Sequence, residues 1–205
     1  MGSPATAEKL ETTPQAGEGK QPVGEMNGFG IDDPVDFRLL VGAYNGDVPV
    51  IIEALAAGAW VDAPSTQGWT PLMWLSMRSL VAHAPVASAR WLVAAGAEIN
   101  RFVPAGADGV GGDTPLTLAC EAGDDALIDF LLANNADPNP PCAACPPLHL
   151  SLPSERAVRR LLAAGADARR RFGGQTALEC YVEGWGDPDY RDDAQFETMV
   201  RLLGG

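Results

Sequence analysis

Histidine and cysteine are scarce in this chain of 205 residues, which holds two histidines, His83 and His149, and four cysteines. So few histidines leave little material for His-based acid–base or triad chemistry. Ser151 and Ser154 lie close to His149 in sequence, but no nucleophile-elbow phrase surrounds them. Basic residues are also few: 14 Lys and Arg stand against 27 Asp and Glu, for a formal net charge of −13. That balance excludes nucleic-acid binding by the surface as a whole. No Gly-Lys-Ser/Thr phosphate loop is present. No apolar run approaches the ~20 residues that span a bilayer, and the N-terminus lacks the apolar stretch of a signal peptide. The expectation is a cytoplasmic protein without a membrane span.

What the chain has is repetition. One phrase recurs as Leu55-Ala56-Ala57-Gly58-Ala59, Leu92-Val93-Ala94-Ala95-Gly96-Ala97, Leu131-Leu132-Ala133-Asn134-Asn135-Ala136 and Leu161-Leu162-Ala163-Ala164-Gly165-Ala166. A second phrase alternates with it: Thr70-Pro71-Leu72, Thr114-Pro115-Leu116, Pro147-Leu148-His149 and Thr176-Ala177-Leu178. The second phrase reads as a helix start, with Thr as N-cap and Pro in the first turn. The first reads as a helix end, with Gly58, Gly96 and Gly165 in a left-handed position that Asn135 fills in the third copy. The leucines give each closing helix an apolar stripe that one helix pair cannot bury alone, so neighbouring units must stack.

The phrases resemble the ankyrin repeat, most closely from Gly112 to Asn139, where Asp113-Thr114-Pro115-Leu116-Thr117-Leu118-Ala119-Cys120 opens a helix and Gly123 fits the break before the next. The resemblance implies an all-α solenoid of about five stacked helix pairs with projecting β-turn fingers. Its units fall near 36–62, 68–100, 112–139, 146–168 and 174–203 within a domain over 32–205. Residues 1–31, rich in Gly, Pro, Glu, Thr and Gln, read as a disordered tail.

The spacing is irregular. Thr70 and Gly96 are 26 positions apart, against 21 between Thr114 and Asn135, so the second unit carries about five extra residues near Ser79 to Pro85. The connector from Ile99 to Gly112 is long and glycine-rich. The last unit holds an insertion, Gly184-Trp185-Gly186-Asp187-Pro188-Asp189-Tyr190. Insertions in solenoids gather on one face, often the binding face, although neutral loop drift produces them too.

Candidate contact residues fall in three groups. Trp69, just before Thr70, occupies a place that faces the concave surface in ankyrin-like proteins, with Asp113 and Gln175 at the matching positions. Trp60 stands where the resemblance puts an Asp, and its alternative role is packing over the first unit. Tyr44 and Asn45 extend the same patch, and Trp74 joins it if it is not core. Phe102 and Trp185 are aromatics on insertions. Arg169-Arg170-Arg171-Phe172 follows the fourth unit; it either grips carboxylates on a partner or pairs with the acidic last unit. Trp91 and Cys120 read as core, and Asp124-Asp125 as solvated surface.

Three functions compete. The leading one is a non-enzymatic protein–protein interaction module, monomeric when alone. It holds a macromolecular partner in its concave face, and its acidic surface favours a basic partner. The second is an inhibitor or immunity-type protein that neutralises a toxin or enzyme. The third uses Cys142 and Cys145 for metal or redox chemistry, although structural zinc needs four ligands and no further pair has motif spacing. The leading reading calls for no metal, cofactor, nucleic acid or membrane.

Overall fold

The computed structural model describes residues 29–103, 112–141, 145–187 and 192–204. Within them lie α1 (Pro34–Asn45), α2 (Val48–Ala56), α3 (Pro71–Arg78), α4 (Pro85–Ala94), α5 (Pro115–Ala122), α6 (Asp125–Ala133), α7 (Pro147–Leu150), α8 (Glu155–Ala163), α9 (Ala177–Trp185) and α10 (Asp193–Gly204).

The sequence starts and stops these helices where local chemistry requires. The Thr70 hydroxyl accepts the Met73 N–H. Thr114 and Thr117 form a reciprocal capping box, and Thr176 with Glu179 forms another. Gly58, Gly96 and Gly165 adopt φ of 93°, 96° and 93°, and Asn135 adopts 67°. Asp124 is not the solvated residue expected: it is buried and caps α6, accepting the Ala126 and Leu127 N–H groups at 3.0 Å.

The helices form two rows. The first helices of the units, α1, α3, α5, α7 and α9, pack one on the next, and α2, α4, α6, α8 and α10 do the same behind them. Leu39, Leu72, Leu92, Leu127, Leu161 and Met199 belong to one core that runs the length of the stack. Each such leucine removed from water contributes roughly 1.5–3 kcal/mol. The five extra residues of the second unit form the turn between α3 and α4.

The projecting β-turn fingers are not formed. Among the described residues there is no β-strand, and the connectors hold only two isolated bridges, Val103 with Asp113 and Phe172 with Gln175. The physical reason is visible in their hydrogen bonds. Side chains at one level of the stack satisfy the connector backbone of the next, so no ladder is needed. Asp36, in the first turn of α1, accepts the Trp60 N–H, and Asp62 of the first connector accepts that of Glu98. Asn100 accepts from Asp137 and donates to the Asn135 carbonyl, and Asn139 does the same with Asp167 and Gly165.

Trp91 is also misplaced by the sequence reading. It is 46 % exposed, because the buried stripe of α4 is Ser88, Ala89 and Leu92, and Trp91 sits one position off it. Most of the N-terminal tail, the middle of the long connector, Cys142, and Pro188 to Tyr190 of the last insertion lie outside the described residues.

Candidate protein-binding face

The first-helix row carries an aromatic cluster at its N-terminal end. Helix α1 has two apolar stripes. Leu39 and Ala43 enter the main core, while Phe37 and Leu40 start a second, separate cluster with Val41 and Trp74. Trp74 comes from the following unit, so this cluster lies between units and not on the end of the stack. Trp74 packs on Tyr44 at 5.9 Å and on Trp69 at 4.9 Å between ring centroids. Three residues singled out from the sequence, Tyr44, Trp69 and Trp74, are therefore contiguous, each partly exposed. Arg78 lays its guanidinium over the Tyr44 ring, 4.5 Å from its centre. Asn45 is exposed beside them, and its carbonyl accepts the His83 N–H at 3.0 Å.

Two partners of this cluster escaped the sequence reading. Phe29 packs on Trp74 at 4.9 Å and on Tyr44 at 5.7 Å. Arg78 is the other. Arg78 lies one helical turn after Trp74, which is a usable signal. Phe29 lies 45 positions before Trp74, and no local pattern links them.

A second group lies at the far end of the row, around the connector between the fourth and fifth units. The Phe172–Gln175 bridge closes it, and His149 reaches in from α7, its Nε2 3.1 Å from the Gln175 carbonyl oxygen. Burial holds the His149 imidazole below its ordinary value. The three arginines divide. Arg170 donates to the Pro140 carbonyl at 2.8 Å, and Arg171 donates to the Gly174 carbonyl and pairs with Glu179. The Thr176 N–H on its carboxylate, helped by Arg171, holds Glu179 below the usual carboxylate range. Among the described residues Arg169 alone of the three makes no side-chain hydrogen bond or ion pair, and Phe172 beside it is 43 % exposed. Gln175 donates its side-chain amide to Glu183.

The other candidates stand apart from these groups. Asp113 is half-buried, and burial, with Glu121 nearby, raises its carboxyl. Phe102 is half-buried at the root of the long connector. Trp60 is 59 % exposed, and its backbone donates to Asp36 and accepts the Ala63 N–H. Trp185 is exposed, stacked on Tyr181 at 5.6 Å, and borders a cavity of about 540 Å³ with Asp187 and Asp192. Arg156 and Arg160 are on the second-helix row, both paired with Asp129.

Two of the described cysteines are held as thiols. Burial pushes the Cys120 thiol up to about 12 and the Cys145 thiol up to about 11, so both stay protonated at neutral pH. No three His, Cys, Asp or Glu side chains among the described residues converge in a way that could hold a metal ion. No helix among them is long and apolar enough to cross a membrane.

The described chain is thus a row of stacked helix pairs, two of which open on Thr-Pro and four of which close on a left-handed residue. No curated protein matches it significantly. A family model described as ankyrin repeats, in three copies, matches residues 39–142, about half of the sequence. On that match and this architecture, the chain belongs to the ankyrin-repeat family, whose repeats are non-catalytic scaffolds for protein–protein interaction.

Proposed function

We propose that this protein binds one protein partner on its first-helix row and the adjoining connectors. The observation that carries the reading is the contiguity of Tyr44, Trp69 and Trp74 beside Arg78 on that row. Tryptophan, tyrosine and arginine are the residue types that dominate binding energy, the two aromatics through large contact areas with few rotors to freeze. Exposed Phe172 and Arg169 supply a second contact at the far end of the same row. The formal charge of −13 favours a basic partner and speeds its capture. Recognition by a few anchors at two places on a rigid stack needs no reacting group.

The test is affinity capture by the full chain from lysate of the source cell, identification of the partner by mass spectrometry, and titration with variants. Trp69→Ala is expected to weaken the partner about 30-fold, as for the loss of one central anchor. The triple change of Arg169, Arg170 and Arg171 to Ser is expected to slow association and flatten its salt dependence. Unchanged affinity in both variants, with their melting transitions retained, would remove this face from the account.

A further inference from the structure

The last unit bears a cavity of about 540 Å³, within the range of pockets that take small ligands. Its walls come from several elements. Helix α9 supplies Tyr181 and Trp185, α10 supplies Gln195, and Pro153 comes from the turn between α7 and α8. Asp187, just after α9, and Asp192, just before α10, line it as well. Helix α9 is the last member of the first-helix row, so the cavity continues the face proposed above.

Aromatic and anionic groups meet in this lining. Tyr181 is buried and stacks on Trp185 at 5.6 Å, with 18° between the ring planes, and on Phe196 at 5.6 Å. Trp185 is 42 % exposed, which leaves part of its ring to a ligand. One oxygen of Asp192 accepts the Gln195 N–H at 2.9 Å, and a carboxylate has acceptor sites to spare. Among the described lining residues none is Lys or Arg. Burial, then Asp192 and Glu155, push the Tyr181 hydroxyl above its ordinary value, so both carboxylates bear on this ring. Glu155 is paired with Arg159 and counts for less. Helix α9 ends at Trp185, and a helix C-terminus adds partial negative charge.

We propose that this cavity takes an arginine side chain of the protein partner, its guanidinium against Trp185 and donating to the Asp192 carboxylate, its aliphatic stem against Pro153. A cation over an aromatic face beside a carboxylate gains from both. Arginine fits better than lysine, because the guanidinium is planar, stacks on rings and donates in a fork that matches a carboxylate. The formal charge of −13 agrees with a basic partner. The inference rests on the protein-binding reading for its occupant and names one anchor of that partner.

The experiment titrates the full chain with acetyl-Gly-Arg-Gly-amide and follows the indole N–H resonance of Trp185, assigned with Trp185→Phe. Saturable shifts with a Kd of about 1–5 mM are expected. The peptide with citrulline for arginine has the same shape without the charge and should bind at least about tenfold more weakly. The lysine peptide should also bind more weakly than the arginine peptide. Asp192→Asn keeps a good cap for α10 and should weaken the arginine peptide about tenfold. No saturable shift at Trp185, equal binding of the citrulline peptide, or unchanged affinity in Asp192→Asn would overturn the inference. Free arginine binding more tightly than the blocked peptide would assign the cavity to the amino acid and overturn the protein occupant. Binding that emerges only in Arg191→Ala would give the cavity to the chain's own cation, with the same consequence. The citrulline comparison uses the unaltered chain, so it decides the matter even where a variant does not fold. Partner capture by the unaltered chain requires none of these outcomes and tests the broader reading separately.

Discussion

The side-chain oxygen of Asn100 accepts the backbone N–H of Asp137 at 2.8 Å, across the junction of the second and third units. Its amide donates to the Asn135 carbonyl at 3.0 Å, and Asn139 repeats both contacts at the next junction. A connector without a strand ladder thus still ties each unit to its neighbour. Asn100→Ala removes both bonds at an exposed site. It is expected to cost about 1 kcal/mol, read as a lower urea midpoint at unchanged slope. A midpoint identical to that of the unaltered chain would show that these bonds merely replace water.

His149 makes the fold sensitive to mild acid. Burial lowers its proton affinity, opposed by the Gln175 carbonyl and assisted by Arg170. The folded chain therefore binds this proton less readily than the unfolded chain does. Its contribution to stability is complete above the ordinary value of 6.5 and is lost as pH falls below it. Asp62 and Asp113, raised by burial, act with the opposite sign and nearer about pH 4. Unfolding measured from about pH 7.5 down to about 5 should show stability falling in the unaltered chain and a shallower fall in His149→Gln. Parallel profiles would remove His149 as the cause.

Gly96 answers to a single backbone angle. A Cβ there would touch nothing within 4 Å, so any penalty comes from φ of 96° alone. Gly96→Ala is expected to cost about 1 kcal/mol and Gly96→Asn less, since Asn tolerates this region. Asn135→Gly should be neutral or slightly stabilising by the same reasoning. Equal costs for Ala and Asn in thermal melts would contradict it.

Trp91 and Leu92 are neighbours with opposite fates. Leu92 is fully buried, and Leu92→Ala is expected to cost about 2–5 kcal/mol. Trp91 lies in a shallow groove with Ile52 and Leu55 and is nearly half exposed, so Trp91→Ser should cost about 1 kcal/mol or less. Comparable losses in chemical denaturation would mean that Trp91 belongs to the core after all.

The contrast between these sites explains what the sequence discloses. Thr114, Pro115, Gly96 and Asn135 were legible because caps and left-handed turns are decided by a residue and its nearest neighbours. The polar ties between connectors had a faint signal as well. Asp62, Asn100 and Asn139 each stand four positions after a left-handed residue, in register with one another. The phase of α4 was harder to read, because Ser88 and Ala89 fill its buried stripe and leave the large Trp91 outside. The fingers were an inheritance from the resemblance, and side-chain bonds between connectors take the place of the strands it implied. Of the candidate site, Tyr44, Trp69 and Trp74 were legible one by one. Their union under Phe29 depends on a contact 45 positions long in sequence, which no local pattern encodes.

The most direct measurement of the central claim, that a partner is gripped by the first-helix row, is amide hydrogen exchange of the full chain with and without its captured partner. The account predicts added protection in α3, in the segment around Trp69, and in the connector holding Arg169 and Phe172, with α2, α4, α6 and α8 unchanged. Protection confined to those second-row helices would contradict it.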